Sequence, residues 1–174
     1  REAWGGWWDQ HQGAGDQWVD GFYQDTEHFT YRQPLRTALV EFGEMEGCAV
    51  PDNHVLALAE IARRGGASYD RQDRLEILAG YDRFLDRWGF RKSFPTTESL
   101  FLAIGRKSYE SWQQYMENAR INNATDFSVI SGWESTAIDN HSGLVDNLRN
   151  FKSDPAIIRA SLLPLRAVAK QRSL

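Results

Sequence analysis

A single cysteine, Cys48, stands in this chain, so no internal disulfide can form and no paired-cysteine metal site can be built. That usage fits a reducing compartment. The four histidines, His11, His28, His54 and His141, are scattered, and none belongs to an HExxH spacing. No GxxxxGK[ST] loop is present, which leaves no phosphate cradle for ATP hydrolysis. From these absences we expect no metal, no cofactor and no enzymatic activity. No apolar run approaches the roughly 18 residues of a membrane span, so no membrane partner is expected. The start lacks both an initiating Met and a basic-then-apolar leader, and reads as the interior of a longer chain or the product of processing.

What is present is globular in kind. The 174 residues are 41% hydrophobic, 25% charged and 13% aromatic, enough for one domain with a real core, or for a small domain with an assembly arm. The net charge of −4 argues against indiscriminate binding to nucleic acid, but its distribution is uneven. Residues 1–60 hold 3 Lys/Arg against 11 Asp/Glu, residues 61–120 hold 11 against 8, and residues 121–174 hold 6 against 5. The middle of the chain is therefore its basic part.

The opening stretch scatters Trp4, Trp7, Trp8 and Trp18 among glycines and polar residues, and indoles so placed need a surface to cover them. That surface is either the chain's own domain or a neighbouring subunit. Helices are expected at 34–43, where Pro34 suits a first turn and Gly43 an end, and at 52–64, capped by Asp52 or Asn53. Arg63-Arg64-Gly65-Gly66-Ala67-Ser68 reads as a helix stop and a linker. Residues 70–88 form the longest periodic stretch, with Leu75, Leu78, Ala79, Phe84, Leu85 and Trp88 largely on one face. Alternating arginines and aspartates there are expected to pair on the other face.

Residues 94–120 read as two short helices joined by a turn. The first starts at Thr96 or Thr97, where a hydroxyl can cap it and Glu98 suits the positive end. Gly105 reads as its stop and Ser108 as the cap of the second. The second helix then packs through Tyr109, Trp112 and Met116, leaving Glu110, Gln113, Gln114 and Glu117 outward. This is a helix-turn-helix pattern, although a plain helical hairpin fits the same spacing. Gln113 and Gln114 suit adenine edges, while Arg106, Lys107 and Ser108 stand where a helix start meets phosphate. Arg91 and Lys92 complete the expected DNA-binding set.

The segments PTTESLFLAIGRKSYESWQQY at 95–115, RLEILAGYDRFLDRW at 74–88 and SGLVDNLRNFKSDPAIIRASL at 142–162 resemble the terminase small subunits of tailed bacteriophages. The resemblance covers about residues 70–163. It implies an all-α protein with a helix-turn-helix body and additional packing or oligomerisation helices. It further implies a ring-forming homo-oligomer in the host cytoplasm that recognises double-stranded viral DNA and serves a large ATPase/nuclease terminase subunit. With the Arg63–Ser68 linker as a boundary, the expected division is an acidic, Trp-rich arm and two-helix subdomain at 1–66, a DNA-binding body at 67–140 and an oligomerisation segment at 141–174. A structural virion or assembly protein without DNA binding, and a helix-turn-helix regulator, are the alternatives.

After the hairpin, VISGWESTAI reads as a short helix interrupted by Gly132. Asn140 to Gly143 reads as a turn, and Leu144, Leu148 and Phe151 follow at helical spacing. Ser153-Asp154-Pro155 is a helix start, Pro164 a kink, and Arg166, Lys170 and Arg172 suit the negative helix end. The apolar stripe including Ile157, Leu162 and Leu165 is expected to form the oligomer contact. Glu134, beside Trp133, faintly resembles the general acid of lytic transglycosylases, but no saccharide groove is recognisable downstream.

Overall fold

The computed structural model describes residues 41–45, 50–121, 127–130, 132–134 and 143–168. In order these form β1 (Glu41–Met45), α1 (His54–Arg63), α2 (Arg71–Arg87), a 3-10 turn (Phe90–Lys92), α3 (Thr97–Ile121), β2 (Phe127–Ile130) and α4 (Ala156–Ser161). The mostly helical class is as expected; the strands are not. β1 and β2 pair in parallel, with Glu41 opposite Phe127 and Met45 opposite Ile130. Glu41 to Gly43 are therefore strand where a helix end was expected, and Phe127 to Ile130, rich in the aromatic and β-branched residues that suit a pleat, replace the start of the expected 129–138 helix. The Trp-rich opening, residues 34–40 and the expected turn at 140–142 lie outside the described residues.

The chain divides into two compact units, and the boundary falls inside α3, between Ser108 and Tyr109. One unit takes residues 49–108 and 132–154, so the Gly65–Gly66 linker lies within it.

Within this unit the expected helix starts hold. Asn53 caps α1 by accepting from Leu56 N–H at 3.1 Å, and its amide donates to Glu98 Oε1 at 3.2 Å. Thr96 Oγ1 accepts from Ser99 N–H at 3.1 Å while Ser99 Oγ accepts from Thr96 N–H at 3.3 Å, a reciprocal box that fixes where α3 begins. Thr97 bonds Asp82 and so ties α3 to α2. Ala57, Ile61, Leu85, Leu100, Phe101 and Val145 form the apolar core, with Phe101 set edge-on between His54 and Tyr81.

A charged network is buried beside that core. Arg74 Nε donates to Asp70 Oδ2 at 2.6 Å, Nη1 to Asp52 Oδ2 at 3.2 Å and Nη2 to Asn147 Oδ1 at 2.7 Å. Lys152 Nζ lies 3.1 Å from Asp52 Oδ1 and donates to Val50 O at 3.2 Å. Arg74 Nη1 is 3.4 Å from His54 Nδ1, which places the imidazole proton on Nε2, a buried atom without a hydrogen-bond partner among the described residues. Burial, then the Arg74 charge, holds the His54 pKa down to about 4, against the opposing pull of Asp52. Burial likewise lowers Lys152. Burial pushes Asp70 up, but bonds from Ser68, Arg74 and Asn147 and the Arg74 charge outweigh it and leave the carboxyl below its usual range.

Gly105 is where the expected turn fails. Residues 97–121 are one uninterrupted helix, and an added Cβ at Gly105 would lie 2.1 Å from Lys152 O. The glycine serves close approach of a neighbouring backbone and does not end a helix. That neighbour is the 144–152 segment, which is not a helix despite its spacing. Asp146 accepts from Leu148 N–H at 2.8 Å and Asn150 N–H at 2.9 Å, so a side chain holds these backbone donors in a tight loop. Arg149 there has φ of 71°, outside any helix, and bridges Val145 to Phe151 close the loop. Glu134 is ion-paired with Arg149, so its carboxylate is engaged within this loop.

The other unit holds the strand pair, the second half of α3 and α4. Tyr109, Trp112, Tyr115 and Met116 are buried in it, as their spacing predicts, and so are Ser111, Ile158 and Ser161. α4 stops at Ser161, so Pro164 follows the helix and does not kink it, and Arg166 lies beyond its end; Lys170 and Arg172 are outside the described residues. Past that stop the chain is clamped by its polar groups. Arg120 donates to Ser161 O and to Pro164 O, and Arg166 pairs with Glu117 at 2.8 Å. Leu162, Leu163 and Leu165 are left exposed, Leu165 at 90%.

Candidate nucleic-acid interface

The residues expected to meet DNA are not gathered by the fold. Arg106 and Lys107 are exposed, but they lie inside α3 and not at a helix entrance. Ser108 is buried in the same helix, so it neither caps one nor faces a ligand. Gln113 and Gln114 are half-buried and belong to the other unit, with Gln113 donating to Glu117 Oε1 at 3.2 Å. Each of these departures has one cause, the absence of a turn at Gly105. Arg91 is engaged differently: it donates to Asp82 at 2.7 Å and to Asp86 at 2.8 Å. Lys92 is exposed and has no ion-pair partner among the described residues.

What the fold does gather is one face of α2. Gly80, Arg83, Phe84, Arg87 and Trp88 recur at spacings of three and four and line an open groove of about 480 Å³. Trp88 is 62% exposed and Phe84 45%, and neither is covered as its apolar spacing had implied. Phe90, from the 3-10 turn, stacks on Phe84 at 5.5 Å and 23°. The Arg87 guanidinium lies 5.4 Å from the Trp88 ring centroid, a cation–π contact.

Charge on this helix is sorted by row. Asp82 and Asp86 stand four apart, as do Arg83 and Arg87, so each side chain has a like neighbour at the position where an opposite charge would help. Arg91 resolves the acidic row from outside the helix, and the hydrogen bonds from Thr97 and then Arg91 hold Asp82 below the usual carboxylate range. The basic row is left unresolved: Arg83 and Arg87 have no carboxylate partner among the described residues. Asp73 and Glu76 occupy the opposite end of the same face, which confines any anion to its C-terminal half. The signal was present in the sequence, as like charges four apart beside Phe84 and Trp88 at the same spacing.

Compared with protein-family models, with curated proteins and with solved structures, the chain matches none.

Proposed function

We propose that this chain is a non-enzymatic DNA-binding and assembly subunit, and that it meets nucleic acid through the C-terminal half of α2. The observation that carries this reading is the unresolved pair Arg83 and Arg87, set among the exposed rings of Phe84 and Trp88. Guanidinium groups without a carboxylate are ready to hold phosphate, and phosphate contacts supply most of the affinity of a DNA-binding surface. The role is the one that resemblance to terminase small subunits implies, with double-stranded viral DNA and a large packaging subunit as partners. It rests here on α2 and not on a helix-turn-helix.

Assembly into a ring belongs to the same reading, and the clamped leucines after α4 support it. A segment fixed by Arg120 and Arg166 cannot readily turn Leu162 and Leu165 inward, and a second copy would cover them. Ile157, half-buried on α4, is the least exposed of the three residues expected at this contact.

The test is a titration of the full chain with a DNA duplex across salt concentrations. Arg83→Ala with Arg87→Ala should weaken binding across all sequences and flatten the logarithmic salt slope by about two units. Absence of binding at low salt, or an unchanged slope in a folded variant, would overturn the proposal. For assembly, Leu165→Asp should lower the mass of the particle in solution, and an unchanged mass would remove the leucines from the contact.

A further inference from the structure

The α2 face carries more than phosphate-binding charge, and its aromatic half has no use on an intact duplex. Stacked base pairs present only their edges in the grooves, so a ring that protrudes beside them finds no base face to cover. Unpaired bases do offer their faces, and proteins that bind single strands combine a cationic track with such rings. On this face Trp88 is 62% exposed and carries Arg87 beside it, while Phe84 and Phe90 are already parallel and half-exposed. The groove between Gly80 and Trp88, about 480 Å³, is open at the surface and has no side chain at Gly80 to fill it.

We infer that this face binds single-stranded nucleic acid, deepening the DNA-binding reading on which it rests. Successive bases stack on Trp88 and on the Phe84–Phe90 pair, and the connecting phosphates lie against Arg83 and Arg87. Arg91 has a positioning role. By drawing Asp82 and Asp86 to itself it offsets half the charge of the carboxylates closest to the cationic row, and it holds the 3-10 turn that presents Phe90. A protein partner is the less favoured occupant, because Arg83 and Arg87, which have no carboxylate partner among the described residues, would then be desolvated unpaired.

The experiment uses the full chain and fluorescence anisotropy of a dye-labelled oligothymidylate, against a duplex of equal length at equal salt. The single strand should bind about tenfold more tightly or better, and Trp88→Ala should weaken it by about tenfold while leaving the duplex nearly unchanged. Trp88→Phe, which keeps a stacking face, should restore much of the loss. Arg83→Ala with Arg87→Ala should weaken both ligands. Because Trp88 is exposed, its replacement should leave the circular dichroism and urea midpoint unaltered, which separates a lost contact from a lost fold. A duplex bound as tightly as the single strand, or single-strand affinity indifferent to Trp88, overturns this inference while leaving DNA binding standing. Binding of neither ligand overturns both, and assigns the face to protein.

Discussion

Helix α2 bears arginines at both ends, and the two ends dispose of them in opposite ways. At the first turn Arg74 has Asp70 four residues before it and meets Asp52, His54 and the half-buried Asn147 from elsewhere in its unit, and the guanidinium itself is out of water. Toward the last turn Arg83 follows Ala79 at that spacing and Arg87 follows Arg83, and both remain exposed. The chemistry of the side chain is the same throughout. What differs is the residue one turn earlier, which commits one guanidinium to architecture and leaves the other two open to an anion.

The largest effect should come from breaking the buried end. Arg74→Ala leaves Asp52 and Asp70 buried with much of their compensation gone, and we predict a loss of about 3–5 kcal/mol in urea unfolding. Arg74→Lys should recover little of it, since an ammonium cannot reach the same partners as a planar fork. A loss below about 1 kcal/mol would mean that the two ends differ less than their burial implies.

Acid should reach the same end without mutation. His54 is neutral in the fold, with a pKa of about 4, while an unfolded histidine titrates near about 6.5. Stability is then complete above the unfolded value and falls as pH drops through the window toward the folded one, by at most about 3 kcal/mol. Asp70, lowered in the fold, adds its own loss only at more acid pH. The groups facing His54 are Arg74, Asp52, Lys152 and Asp70, so His54→Asn should flatten the upper window and leave the lower one in place. A profile unchanged by that substitution would remove His54 as its cause.

Gly105→Ala comes next. Alanine is ordinarily the better helix residue, by about 1 kcal/mol, but here its methyl would meet the backbone of Lys152, whose ammonium belongs to the buried network. We predict a net destabilisation of about 1–3 kcal/mol, read as a lower melting temperature. A gain in stability would show that the 144–152 loop yields easily. The smallest effect belongs to the exposed end: Arg83→Ala should move stability by no more than about 0.5 kcal/mol, because it relieves a like-charge pair and uncovers nothing. A larger loss would show that the basic row is structural after all.

Much of the helical framework was legible because its signals are local. Asn53 before an apolar run, Thr96 with Ser99 and the spacing of Tyr109, Trp112 and Met116 each act within a turn or two. Gly105 was misread for the opposite reason. A glycine that ends a helix and one that admits a neighbouring backbone are the same letter, and only Lys152, far along the chain, distinguishes them. Leu144, Leu148 and Phe151 misled because their helical spacing is outweighed by one aspartate side chain that captures two backbone donors. The candidate interface was less legible: the alternating charges suggest that Arg83 and Arg87 pair with aspartates that Arg91 takes instead.

The boundary inside α3 also bears on how the chain can fold and be divided. It leaves twelve residues of the helix to one unit and thirteen to the other. A helix of that length is marginal in water by itself, near the limit of about 12–15 residues, so a cut at residue 108 would give each fragment a strand of helix with too little cooperative length to persist. Each unit also needs chain from both sides of the other, since neither is a continuous segment. Excision of either should therefore yield an unfolded fragment, and the intact protein should melt in a single transition that calorimetry can test against the van't Hoff enthalpy.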